Sequence, residues 1–285
     1  GLAAHNYHDQ MSGLPPGISN APFQGSAQLF LLPYLEQQAK YVLFDQKIAI
    51  NVPANYYGRI GDLNLFICPS DASSASIADT APPTGVTAES NGRLNYYANI
   101  GTHAMYSDTI GTAVKPDINK GIYGLNSNTE FKSITDGLSN TVQFAEIKRA
   151  LKTGIDPLNV TMNAAWGASP DINPNNKAPL PAAFATTCDN PTAATSLYIT
   201  GLKYYLGSPT SVFYSHTLPP NYTGKDCMAF PASNQLHLAA RSYHSGGVNV
   251  SLCDGSVKFV RSSIDFSVWQ ALGTRCGGES NASSD

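Results

Sequence analysis

Charge is what this chain has least of. Asp, Glu, Lys and Arg together make up 13% of its 285 residues, about half the roughly 25% of an ordinary globular domain. Lysine plus arginine number 17 against 20 acidic residues, a net charge of −3. So few cations exclude nucleic acid as a main partner, because that affinity rests on many Lys/Arg–phosphate contacts. Long apolar runs are missing too: Leu29 to Leu35 is interrupted by Pro33 and falls far short of the ~20 residues of a spanning helix. No C-x-x-C pair occurs among Cys68, Cys188, Cys227, Cys253 and Cys276, which removes zinc-ribbon and thioredoxin-type readings. The G-x-S-x-G elbow, the P-loop, G-x-G-x-x-G and H-E-x-x-H are absent, so no enzyme, no catalytic residue and no cofactor-binding residue is expected. The chain opens at Gly1-Leu2-Ala3-Ala4 without an initiator Met, as a processed or trimmed product would.

What the chain does have is turns and rings: 24 Gly, 19 Pro, 15 Tyr and 11 Phe, with 42% hydrophobic residues in all. That is enough to bury a core, and the patterning is α+β. Leu2 to Met11 reads as the end of a helix, stopped by Gly13-Leu14-Pro15-Pro16-Gly17. Leu29, Leu32, Leu35 and Leu43 recur near helical spacing and predict a second helix over Ser26 to Phe44, kinked or started by Pro33. Strands are predicted at Phe66 to Asp71, Leu94 to Ile100 and Thr141 to Glu146, with an exposed loop over Ala72 to Ser90 and a turn at Ile134-Thr135-Asp136-Gly137. Near the C-terminus, Val248 to Cys253 and Ser256 to Val260 alternate around Asp254-Gly255, a hairpin signal that predicts a type I′ turn. Asp265 is expected to cap a short helix over Phe266 to Leu272, with Gly273 as its left-handed stop. One domain over 1–285 is expected, with a large loop-rich insertion at 154–234 carrying short strands around Tyr198 and Phe213.

Four groups of residues invite a chemical reading. His5 and His8 share a helix face beside Asp9, so two imidazoles could meet one metal ion. Packing against a sheet, with the rings bonded to backbone carbonyls, accounts for them as well, and no metal ligand is assigned. His244 and Asp254 look like a dyad, but six extended residues at ~3.3 Å each hold them about 20 Å apart. Asp71, Asp136, Asp254 and Asp265 sit beside turns, where a structural calcium would find oxygens and where ordinary Asx turns would also put them. Cys188 and Cys227 lie in an irregular Pro/Asn-rich stretch. A bridge between them would close a loop of about 40 residues and stabilise by about 4 kcal/mol in the chain-entropy model, with reduced, inert thiols as the alternative. Cys253 reads as a buried apolar residue.

Several blocks together resemble one family. His5-Asn6-Tyr7-His8-Asp9 followed by Leu14-Pro15-Pro16-Gly17 resembles the opening of the large prepilin-like family abundant in planctomycete-type bacteria. Leu31-Leu32-Pro33-Tyr34-Leu35-Glu36-Gln37, Cys68-Pro69-Ser70-Asp71, Asn95-Tyr96 and Ile134-Thr135-Asp136-Gly137-Leu138-Ser139-Asn140-Thr141 are similar to its later blocks. His244, nine residues and Asp254-Gly255 resemble its H-x9-D-G signature, and Thr274-Arg275 with Gly277-Gly278-Glu279 its tail. Cys276 stands where the family usually has a small residue, and the hydrophobic prepilin helix that precedes these blocks in the family lies outside this chain.

The resemblance implies export by a type IV pilin or type II secretion-like route, and a pilin-like helix packed on an antiparallel sheet. It implies no activity. The expected function is therefore a structural, pseudopilin-like subunit at the cell surface, in the periplasm or outside the cell, self-associating into a filament or secretion-associated fibre. Its partners would be copies of itself or other pilin-like subunits, with membrane contact only through the preceding helix. Burial of aromatic patches and edge-strand pairing would hold the polymer together. The competing class is an extracytoplasmic carbohydrate- or solute-binding module, its site an aromatic platform from Tyr198, Tyr204, Tyr205 and Tyr214.

Overall fold

The computed structural model describes residues 1–110, 113–115, 117–150, 161–163, 194–196, 200–224, 226–229 and 235–279. Helix α1 (Leu2–Met11) buries Ala3 and Ala4 and ends where Ser12 turns left-handed at φ 58°. The expected long second helix is broken into α2 (Ala27–Phe30), a 3-10 turn at Leu32–Leu35 and α3 (Gln38–Tyr41). Two residues cause the breaks. Pro33 has no N–H to continue α2, and Glu36 at φ 60° is left-handed and ends the 3-10 turn. Ser26 caps α2 through Oγ, which accepts from the Leu29 N–H at 3.1 Å. Helix α4 (Tyr56–Arg59) follows.

Strand β1 (Tyr96–Asn99) begins the main sheet. The strand predicted at Phe66 to Asp71 is instead a 3-10 turn at Asn64–Phe66 followed by a turn. The chain there bends around Asn95, whose Oδ1 accepts from the Cys68 N–H at 3.0 Å. The hairpin β2 (Thr109–Ile110) and β3 (Ala113–Val114) precedes β4 (Val142–Glu146). Then come β5 (Thr161–Asn163), β6 (Ala194–Ser196), α5 (Pro209–Val212), β7 (Phe213–Tyr214), β8 (Cys227–Ala229) and β9 (Gln235–His237). The chain closes with β10 (Gly247–Leu252), β11 (Val257–Arg261) and α6 (Phe266–Gly273).

The main sheet runs β11-β10-β4-β1-β7, antiparallel except for the parallel β1–β7 pair. The α+β class and the helix on a mostly antiparallel sheet agree with the sequence reading. A second sheet runs β6-β5-β8-β9. Residues 200–224, read from sequence as part of the insertion, supply β7 and much of the core: Tyr204, Tyr205, Phe213 and Tyr214 are all fully buried. None of the described helices is long and apolar enough to cross a membrane.

Two turn expectations are corrected. At the β10–β11 tip only Gly255 has positive φ, at 92°, so the turn is not type I′. The Gly255 N–H donates to Leu252 O at 3.0 Å and the Leu252 N–H to Ser256 O at 2.9 Å. That is a type I turn closed by a glycine bulge. Asp265 does cap α6, accepting from the Ser267 N–H at 2.8 Å, but Gly273 is not left-handed. Its missing side chain makes room for His216, whose Cγ lies 2.3 Å from where a Cβ would stand. The stretch Ala72 to Ser90 is irregular as expected, yet it is pinned: Asp79 is buried and grips Arg59 through two hydrogen bonds of 2.7 and 2.6 Å.

Candidate functional site

The motif blocks separated in sequence dock on one another in space. On α1, His5 Nε2 lies 2.7 Å from Cys253 O at the β10–β11 tip. His8 Nε2 accepts the Phe131 N–H at 3.2 Å while its ring stacks on Phe131 at 3.9 Å. Both imidazoles are thus engaged by backbone, and Asn6 and Asp9 face solvent. Tyr7 packs edge-on against Tyr34 of the Pro33-Tyr34-Leu35-Glu36 turn at 5.5 Å.

The turn carboxylates are occupied by donors. Asp136 binds the C-terminal segment, accepting from the Gly277 and Gly278 N–H groups at 2.7 and 2.9 Å. Its neighbour Gly137 takes φ 100°, and Asn140 donates back to Asp136 O at 3.0 Å, with Ser139 exposed beside it. Asp254 accepts from Ser256 N–H at 2.9 Å and Asp265 from Ser267. Asp71 accepts from Asn95 Nδ2 at 2.6 Å and from the Arg149 N–H at 3.0 Å. Burial alone would raise the Asp71 carboxyl, but these donors and Ser73 hold it below the usual carboxylate range.

The aromatic platform is not a surface. Tyr204, Tyr205 and Tyr214 are buried, with hydroxyls on Gly58 O, Asn91 Oδ1 and His216 Nε2 at 2.7, 2.5 and 2.9 Å. Tyr198 lies outside the described residues, and so does Cys188 and with it the Cys188–Cys227 pairing. Cys68, Cys253 and Cys276 are free thiols. Burial pushes the Cys253 thiol well up, so it is inert as an apolar residue would be.

A groove of about 490 Å³ opens on one face of the main sheet, within the range of small-molecule sites. Tyr96, Phe144, Asn249 and Ser251 form its floor; Ala3, Ala4, Leu31, Leu35 and Phe66 form its walls. Gln28 lines it as well, and its buried Oε1 has no partner among the described residues. Burial, and then Cys68 and Glu146, push the Tyr96 hydroxyl up to about 12.

At the edge of the groove three side chains converge that sequence reasoning did not connect. Glu146 ends β4, buried, and faces His244 Nε2 at 3.2 Å. Cys68 Sγ lies 3.7 Å from the same His244 nitrogen and 3.9 Å from Glu146 Oε1. Each is held from behind. Asn249 donates to Glu146 through its N–H at 2.7 Å and Nδ2 at 3.1 Å. Asn95 fixes the Cys68 backbone, and Ser242 Oγ accepts the His244 N–H at 3.0 Å. His244 and Asp254 are not partners, as the strand length requires. Glu146 was hidden because it closes an alternating strand and stands 78 residues from Cys68 and 98 from His244.

A family model described as "Protein of unknown function (DUF1559)", short name SBP_bac_10, matches residues 1–267. No curated protein and no solved structure matches the chain.

Proposed function

The chain belongs to the DUF1559 family of proteins of unknown function, and on that premise we propose that it is an extracytoplasmic, pseudopilin-like structural subunit, without enzymatic activity, that associates with copies of itself. The observation that carries this reading is the outer strand of the main sheet. No described strand pairs with the far edge of β11, and on it Val257 is 68% exposed and Phe259 49%. Their partners across the ladder are Ser251 and Asn249, which line the groove, so both apolar side chains share the groove's face. An unpaired edge beside exposed apolar groups is a template for another strand. A second copy adding its own β11 would satisfy the free N–H and C=O groups and cover both side chains.

The test is light scattering across a concentration series, with electron microscopy of the concentrated protein. The wild type is expected to form larger species, and a Val257→Lys/Phe259→Lys variant to need at least about tenfold more protein, since interface anchors contribute more than ~1 kcal/mol each. A wild type that stays monomeric at the highest concentration would overturn the reading. The groove, with the unpartnered Gln28 oxygen, favours the second reading of a neutral-solute binder; a monomer whose melting temperature rises with such a solute would establish that class instead.

A further inference from the structure

Independently of self-association, we infer that Cys68, Glu146 and His244 form a zinc(II) site. The three donor atoms come from the loop after the Asn64–Phe66 turn, the end of β4 and the approach to β10, and lie 3.2, 3.7 and 3.9 Å apart. A tetrahedral zinc with Zn–S of ~2.3 Å and Zn–N and Zn–O of ~2.0–2.1 Å has edges of about 3.3 Å for N···O and about 3.5 Å for S···N and S···O. The observed triangle needs closing by only a few tenths of an ångström to become one face of that tetrahedron.

The alternatives fit less well. In a Cys–His–carboxylate relay the imidazole uses one nitrogen for the thiol and the other for the orienting acid. Here Nε2 alone faces both Sγ and Oε1. A single N–H, or a single lone pair, serves only one of them, whereas a cation at the centre serves all three. The sulfur contacts are also long for hydrogen bonds. Thiolate, imidazole and carboxylate together suit zinc rather than the hard cations magnesium and calcium.

Supporting hydrogen bonds hold all three ligand residues in place. Asn249 orients the Glu146 carboxylate by two hydrogen bonds, and Asn95 and Ser242 fix the backbones of the other two ligands. On binding, Cys68 gives its thiol proton to buffer, Nε2 offers its lone pair while Nδ1 carries the ring proton, and Glu146 Oε1 exchanges its contact with His244 for the metal. Three protein ligands leave a fourth position for water or a further ligand. The His244 side chain is 32% exposed, so solvent reaches the cluster.

The test uses the full chain, reduced and stripped of metal, titrated with zinc against a chromogenic chelator and with cobalt(II) followed by absorption. One equivalent per chain is expected, with thiolate-to-cobalt charge transfer and the intense visible bands of a tetrahedral ion. Cys68→Ser and His244→Ala should each weaken binding more than about a hundredfold, beyond the roughly 10–100-fold that outer-shell losses cost, while Cys276→Ser leaves it unchanged. X-ray absorption at the zinc edge of the wild type needs no variant and should show one sulfur neighbour among nitrogen and oxygen. A wild type without tetrahedral cobalt bands, a zinc edge lacking sulfur, or binding indifferent to both ligand substitutions would overturn the assignment.

Discussion

Replacing Asp79 with alanine removes the counter-charge of a guanidinium that has no route to water. Arg59 and Asp79 side chains are 1% and 3% exposed. Arg59 donates twice to the carboxylate and also to Ile50 O, Val52 O and Ala81 O at 2.8, 2.6 and 3.1 Å. After the substitution the three carbonyls remain, but the charge is buried and unpaired, which costs about 3–5 kcal/mol. A domain's whole stability is about 5–15 kcal/mol, so about a fifth or more of it is at stake. Glu130→Ala is the internal control. Its partner Lys132 is 79% exposed and Glu130 42%, and such pairs contribute less than about 1 kcal/mol. Burial would raise the Asp79 carboxyl, yet Arg59 and the Ala81 N–H override it and leave the group below its ordinary 3.8. The pair's contribution is therefore full above pH 3.8 and lost as pH falls through the lower folded value. Urea unfolding followed by tryptophan fluorescence and circular dichroism measures this directly. A midpoint for Asp79→Ala no lower than that of Glu130→Ala at neutral pH would refute the argument.

Two further substitution or titration effects follow from the buried faces. Gly273→Ala sets a methyl 2.3 Å from His216 Cγ, and His216 has nowhere to go, held by Trp269 O at 2.6 Å and stacked on the Trp269 ring at 3.9 Å. Overpacking of this kind costs about 1–3 kcal/mol, so the melting temperature should drop, and an unchanged value would show that the ring can shift. Burial lowers both His216 and His237 from 6.5 to about 3. Each stays neutral in the fold while the unfolded chain protonates, so stability is full above pH 6.5 and declines as pH falls toward 3. At pH 5 the loss is about 2 kcal/mol per histidine. Denaturant midpoints that stay flat between pH 7 and 4 would contradict that burial.

The parts of this fold that could be read from the chain are those in which local pattern and tertiary need coincide. Val248 to Val260 alternates around Asp-Gly, and the hairpin follows even though the turn is a bulged type I. Thr141 to Glu146 alternates, and it is the central strand. The second helix misleads because Leu29 and Leu32 are buried in the core, and Leu35 partly so, while Pro33 and the left-handed Glu36 interrupt the backbone beneath them and Leu43 is left exposed. Gly273 misleads for a different reason: position after a helix suggests a stop, but a distant ring, His216, decides it. Tyr204 and Tyr205 are core residues because acceptors from Gly58 and Asn91 reach their hydroxyls, and nothing near them in sequence announces those partners. The Cys68, Glu146 and His244 convergence is of the same kind, created by sheet register and not by spacing.

The scarcity of charge has a structural counterpart. Among the described residues Arg59, Arg149, Arg241 and Lys115 are buried, and each donates to at least one backbone carbonyl. Arg149 reaches Asp71 O at 2.7 Å; Arg241 reaches Tyr222 O and, at 3.0 Å, Gly224 O; Lys115 reaches Ile100 O and Met105 O at 2.5 and 2.7 Å. Strands of two to six residues close few ladder bonds, and these cations tie the intervening loops instead. Four of only 17 basic residues are thereby withdrawn from the exterior. An exterior so depleted gives an approaching copy little ionic attraction or repulsion, so the proposed association would rest on the β11 edge with Val257 and Phe259. Contacts of that kind are nearly independent of ionic strength, whereas exposed ion pairs are screened within about 10 Å at 0.1 M salt. Association of the wild type should therefore persist when salt is raised, and assemblies that dissolve with added salt would place the contact on charged groups elsewhere.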